Sequence, residues 1–217
     1  MLHILDQQNS IVNKYLAELR NIDVQKDSMR FRRNLERIGE ISAYELSKTL
    51  NYSPIKVQTP LAEATVECIS DKVVLATILR AGLPLHQGLI NYFDDAENAF
   101  VSAYRSYSSE SDFEIKVEYI ACPSLEGKTL ILCDPMLASG ASMIAAYEVL
   151  CAHGGKPAHT HIVSVLGCDE GVDYVLKHTN AEEVDLWVAT VDPVLNPHKY
   201  IVPGLGDAGD LCFGEKL

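Results

Sequence analysis

"TLILCDPMLASGASMIAAYEVLCAHG", residues 129–154, decides how the rest of the chain is read. Its first five residues, Thr129 to Cys133, form an apolar run of strand length. From Ser142 the apolar spacing turns helical, and it stops at Gly154 and Gly155. A strand feeding a helix through a short loop is half of a βαβ unit, and the same exchange recurs outward in both directions. "KVVLATIL" (72–79), "NAFVSAY" (98–104), "HTHIVSVLG" (159–167) and "EVDLWVAT" (183–190) read as strands, and "LPLHQGLINYF" (83–93) and "EGVDYVLKH" (170–178) as helices. This alternation predicts an α/β fold, a parallel sheet flanked by helices on both faces. Upstream, residues 10–50 carry helical spacing and predict two helices broken near "NIDVQKDS". Between Arg105 and Lys128 a polar "SYSSESD" followed by alternating "FEIKVEYI" predicts a flexible arm or hairpin.

The bulk composition narrows the function classes. The chain of 217 residues fits one domain, with 1–50 as a helical extension, 105–128 as the arm and 191–217 as a tail. It is 47% hydrophobic and 22% charged, and no apolar run approaches the ~18 residues of a membrane span. The start has no basic region followed by an apolar block, so the expected location is the cytoplasm. The six cysteines form no C-x-x-C pair, which speaks against a zinc site and a disulfide framework. A net charge of −12 opposes nucleic-acid and membrane partners. A polyanionic small ligand would need locally gathered arginines or a metal ion.

In open α/β sheets, ligands bind at the carboxyl ends of the strands, and three such ends are chemically unusual here. After Cys133 come Asp134 and then Ala138-Ser139-Gly140-Ala141-Ser142 at a helix start. Unpaired N–H groups, a glycine and two hydroxyls suit a phosphate, and the adjacent carboxylate suits sugar hydroxyls. The same residues also fit a plain turn before Pro135 with Ser139 or Ser142 as an ordinary N-cap. Arg80 follows a buried strand and invites an anionic partner, and Arg105, at the root of the arm, fits either an anion or a surface ion pair. The tail "YIVPGLGDAGDLCFGEKL" (200–217) spaces Gly204, Gly206 and Gly209 as G-x-G-x-x-G, but eight following residues leave no room for the helix and strand of a dinucleotide unit. What remains is a tight loop bearing Asp207 and Asp210. His159 and His161 share a strand face without a ligand-type neighbour in sequence, the basic "RFRRNLER" fits a solvated helix face, and Trp187 fits the core.

Taken in order, these pieces resemble the uracil phosphoribosyltransferase family. "DPMLASGAS" resembles its phosphoribosyl-pyrophosphate (PRPP) loop, "ILRAG" its pyrophosphate loop, "YR" the start of its flexible arm and "YIVPGLGDAGD" its uracil-binding tail. The resemblance implies a type I phosphoribosyltransferase fold with a C-terminal hood, and the transfer of phosphoribose from PRPP to uracil. It implies catalytic roles for Arg80, Arg105, Asp134 and Asp207, with the two arginines on the pyrophosphate. Asp134, Pro135, Met136, Leu137, Ala138, Ser139, Gly140, Ala141 and Ser142 would hold the ribose 5-phosphate. Tyr200, Ile201, Gly206, Asp207 and Ala208 would hold uracil, with Asp207 also facing PRPP. Mg²⁺ would arrive mainly on PRPP rather than in a protein cage, and the chain would form a homo-oligomer, a dimer or higher. Ser139 and Ala141 depart from the family's A-T-G-G, and Leu211 stands where a basic residue is usual. The rival reading is a non-catalytic protein of the same fold that senses PRPP or a pyrimidine nucleotide.

Overall fold

The computed structural model describes the backbone of residues 1–107 and 113–216, and the side chains of all of these except 103–107 and 113–117. The chain begins with β1 (Leu2–Ile4), α1 (Ile11–Arg20) and α2 (Ser28–Ser47). Next come the hairpin β2 (Tyr52–Gln58) and β3 (Glu63–Ile69), then β4 (Val73–Leu79), α3 (Leu83–Ile90), β5 (Glu97–Tyr107) and β6 (Phe113–Ala121). The second half holds β7 (Thr129–Cys133), β8 (Met136–Leu137), α4 (Ala141–Gly154), β9 (His159–Cys168), α5 (Asp169–His178) and β10 (Val184–Asp192). The tail adds β11 (Val194–Leu195), β12 (Ile201–Val202) and α6 (Ala208–Phe213).

The main sheet runs β1-β10-β9-β7-β4-β5-β6, with β8 attached to β9. Every pairing in it is parallel except β5 with β6. Strand side chains alternate between two cores, as a pleated sheet buried on both faces requires. Val74, Ala76, Leu130, Leu132 and Ile162 pack under α4 and α5. Leu75, Ile131, Cys133, Val163 and Trp187 face α1, α2, α3 and the tail. The predicted alternation of strands and helices is thus present, and α1 and α2 lie within the first 50 residues, after a β1 that pairs with β10. The β2–β3 hairpin was not foreseen: nearly all of its residues on both faces are exposed, so no buried stripe marks it in the sequence.

Because β4, β7, β9 and β10 are parallel, Arg80, Asp134 and Asp192 come to one edge of the sheet. The seat of α3 matters, since it starts just behind the Arg80 turn. It meets α2 backbone to backbone: a Cβ on Gly88 would overlap the Glu36 carbonyl oxygen, and one on Gly39 would overlap that of Leu85. Overpacking a contact with no compliant side chain costs about 1–3 kcal/mol. Gly88→Ala should therefore lower unfolding free energy by ~1–3 kcal/mol in urea titration, and an unchanged midpoint would contradict this packing.

Candidate active site

The carboxyl edge of the sheet opens into a cleft of about 580 Å³. One wall is the end of β4 with Arg80 and Ala81, the floor is Asp134 and the loop that follows it, and the far wall is the tail from His198 to Gly209. Of the residues singled out from sequence, Arg80, Asp134, Met136 to Gly140, Ser142, Tyr200, Ile201 and Gly206 to Ala208 all line it. Pro135 and Ala141 are not among its lining residues, although Ala141 opens α4 and its N–H belongs to the first helical turn. Pro135 is buried, and its carbonyl accepts from Val165 and Leu166 at 3.2 and 2.9 Å, so it pins the loop to β9. Arg105 pairs with Ile115 in the β5–β6 ladder, and its side chain lies outside the described residues.

The phosphate-type loop is built around Gly140. It takes the N-cap of α4 at φ 78 with no side-chain cap bond, so neither serine is the ordinary cap that a plain turn would require. A Cβ there would meet the Gly171 carbonyl oxygen at 2.8 Å. The Ile144 N–H bonds to the Gly140 carbonyl, and the N–H groups of the first helical turn ahead of it have no intrahelical acceptor. They face a site where the helix dipole favours an anion. Ala141 is not at positive φ, so its methyl group is compatible with the turn.

The charges in the cleft are mixed. Burial pushes the Asp134 carboxyl up to about 7; a backbone bond from Met136 pulls it back, and the Asp207 carboxylate adds to the rise. Asp207 caps α6, accepting from the Asp210 N–H at 3.0 Å. Arg80 donates to the Gly214 carbonyl at 3.2 Å and lies 3.6 Å from Asp210. Sequence reasoning missed His198, Lys199 and Lys216, which add basic groups to the lining. Lys199 sits at φ 62 in the turn between β11 and β12 and reaches Glu170 at 3.2 Å. Asn196 closes that turn, accepting the Lys199 N–H on its carbonyl at 2.8 Å and the His198 and Tyr200 N–H groups on its side chain at 2.9 and 3.0 Å, so "NPHKY" marks a turn but not its place over the cleft.

The tail is tied down by the N-terminal helices. Arg20 forks onto Asp192 at 2.7 and 2.8 Å and also donates to the Gly204 carbonyl at 3.2 Å. Asp192 in turn accepts the Gly204 N–H at 2.9 Å. Gln25 donates to the Leu205 carbonyl at 3.1 Å, and Arg32 to that of Cys212 at 2.6 Å. Leu211 packs against the core rather than entering the cleft.

At the opposite end of the strands, His159, His161 and Asp185 bring ligand-type atoms within 4.8 Å of one another. Asp185 is taken by His159 at 3.0 Å and His3 at 3.1 Å. Trp187 donates to His161 Nδ1 at 3.2 Å, which leaves the proton of the neutral ring on Nε2 and makes that atom a donor rather than a lone pair.

Comparison with known proteins follows the same lines. A family model described as uracil phosphoribosyltransferase matches residues 6–215. The chain is 51% identical over 213 residues to the uracil phosphoribosyltransferase of Porphyromonas gingivalis, covering 98% of both chains. It is 40% identical to that of Methanothermobacter thermautotrophicus over 99% of this chain and 96% of the relative. Among solved structures it is similar to the AQ2163 protein from Aquifex aeolicus, with 27% identity, a TM-score of 0.86, and coverage of 99% of this chain and 98% of that one.

The Asp134 carboxyl gives a stability test in the free protein. Its folded value of about 7 exceeds the ordinary 3.8, so the folded state holds the proton more tightly than the unfolded state. The destabilisation is absent below about pH 4, grows as pH rises and levels off above about pH 7. Asp134→Asn should raise Tm by ~2 °C or more at about pH 8 and leave it nearly unchanged at about pH 4. Equal shifts at both values would contradict the assigned environment.

Proposed function

We infer the reaction from one premise: this chain belongs to the uracil phosphoribosyltransferase family. It transfers the 5-phosphoribosyl group of PRPP to uracil and yields UMP and pyrophosphate. The observation that carries the reading is the meeting, in one cleft, of the α4 phosphate-type loop, the Arg80 turn and the glycine loop of the tail. No observation favours the non-catalytic alternative.

During transfer the C1′–N1 bond forms and the C1′–O bond breaks, and the departing pyrophosphate takes the electron pair. Arg80, within the cleft, is the group to receive that charge, with Arg105 at the root of the 105–128 arm as its companion. The loop from Asp134 to Ser142 holds the ribose 5-phosphate, with Asp134 on the sugar hydroxyls. Asp134, raised by burial and further by the Asp207 carboxylate, and Asp207 itself are oxygen donors that would suit a hard cation beside them. Magnesium, when bound with PRPP, supplies charge neutralisation on the pyrophosphate. Uracil loses its N1 proton, and no side chain in the cleft is singled out as its acceptor, so orientation over C1′ does much of the work.

The base is read by main chain. Uracil presents acceptor, donor, acceptor at O2, N3 and O4, which a backbone N–H and C=O around Ile201 and Gly206 to Ala208 can match beside Tyr200. Cytosine would leave like groups facing each other. The 191–217 segment is therefore the base-binding tail. Exposed Ile55, Leu61 and Val66 on the β2–β3 hairpin support a homo-oligomer. Among the described residues no helix is long and apolar enough to cross a membrane, and a cytoplasmic location is part of the same reading.

An assay with uracil, PRPP and Mg²⁺ that monitors UMP tests the reaction. Uracil should be preferred over cytosine by about 10⁴ in kcat/KM. Asp134→Ala should remove ~2 kcal/mol or more of transition-state stabilisation. Gly206 has φ 95, where a branched residue is strained, so Gly206→Val should lower kcat/KM at least about tenfold, while Ile201→Val keeps the preference for uracil. Comparable use of cytosine by the wild type, or normal turnover by Gly206→Val, would overturn the main-chain reading.

A further inference from the structure

Gly204 lies between the two stretches assigned to the base, three residues after Ile201 and two before Gly206. Both of its backbone polar groups are held by one ion pair. Its N–H donates to Asp192 Oδ2 at 2.9 Å, and its carbonyl accepts from Arg20 Nη1 at 3.2 Å. The pair itself is a bidentate fork of 2.7 and 2.8 Å, the geometry in which arginine and carboxylate fix each other most tightly. Asp192 is the last residue of β10 and is buried, while Arg20 closes α1. The pair therefore joins the tail to the sheet on one side and to a helix on the other.

The local elements have little rigidity of their own. β11 and β12 are two residues each and α6 is six, far below the length at which such pieces persist alone. Gly204 stands at φ 62 and Gly206 at φ 95, two freely turning positions bracketing Leu205. Without an external hold, the peptide groups that face the base would sample many orientations, and each would have to be ordered again on binding. Burial would raise the Asp192 carboxyl, yet Arg20 and the Gly204 N–H hold it below the ordinary carboxylate range, so the pair stays charged at neutral pH.

We propose that Arg20 and Asp192 are positioning residues for the base: by gripping both polar groups of Gly204 they set Ile201 and Gly206 in place before uracil arrives. This rests on the reading of the tail as the base site. It predicts a split that general destabilisation would not produce, because the α4 loop that holds the phosphate receives nothing from this pair.

The test uses the full chain as wild type, Arg20→Lys, Arg20→Ala and Asp192→Asn. Arg20→Ala and Asp192→Asn should raise KM for uracil about tenfold while KM for PRPP stays within about twofold, and the double variant should be no worse than the poorer single one. Arg20→Lys keeps the charge and loses the fork, so its uracil KM should fall between wild type and Arg20→Ala, with Tm close to wild type. Amide exchange across residues 200–207 in the free protein should quicken in Arg20→Lys and remain unchanged around 138–144. An unchanged uracil KM, or a parallel loss in both KM values and kcat that tracks a fall in Tm, would overturn the proposal. If wild type makes no UMP, the functional reading fails by itself. The exchange data then still decide the grip on Gly204: no change at 200–207 in Arg20→Lys refutes it.

Discussion

The ion pair between Arg20 and Asp192 is the constraint on which the site depends. A cleft needs two walls, and here the second wall is made of short terminal pieces that cannot order themselves. The sheet supplies Asp192 at its carboxyl edge, α1 supplies Arg20, and the glycine loop is suspended between them. Gln25 and Arg32 extend the same grip to the carbonyls of Leu205 and Cys212. The N-terminal helices thus take part in the site without lining it. Their own placement comes from apolar faces, with Val12, Leu16 and Leu19 of α1 and Phe31, Leu35 and Ile38 of α2 buried in the core that also receives Ile201, Leu205 and Cys212.

A chain of net charge −12 handles a polyanion by concentrating positive potential locally. The first turn of α4 contributes oriented N–H groups without any side-chain charge, and Arg80, Lys199 and Lys216 stand around the same cleft. Against them are set Asp134 and Asp207, whose mutual repulsion is part of what lifts the Asp134 carboxyl. Such an arrangement destabilises the empty protein and favours a ligand that brings hydroxyl donors or a cation, the usual trade between stability and function.

Much of this was legible in the sequence where the physics is local. The βαβ alternation showed in apolar run lengths, and Asp134, Arg80 and the loop around Gly140 stood out because charged or glycine-rich text follows buried strands. Adjacency in a loop does not say which side chains turn inward, so the bonding of the Pro135 carbonyl to β9 left no trace in the sequence. His198, Lys199 and Lys216 were missed because their place in the lining depends on how the tail folds back, a long-range event. The partnership of Arg20 with Asp192 spans 172 residues and leaves no local trace. The β2–β3 hairpin escaped because it buries almost nothing within the chain.

The most direct measurement is a crystal structure of the protein with UMP. The account predicts the 5′-phosphate at the loop from Ala138 to Ser142, the ribose hydroxyls at Asp134, and the edge of the base within hydrogen-bond distance of main-chain groups at Ile201 and Gly206 to Ala208. Gly204 should remain held by Arg20 and Asp192 as it is in the free protein. A base lodged away from the tail, or a tail that releases Gly204 to bind it, would contradict the account.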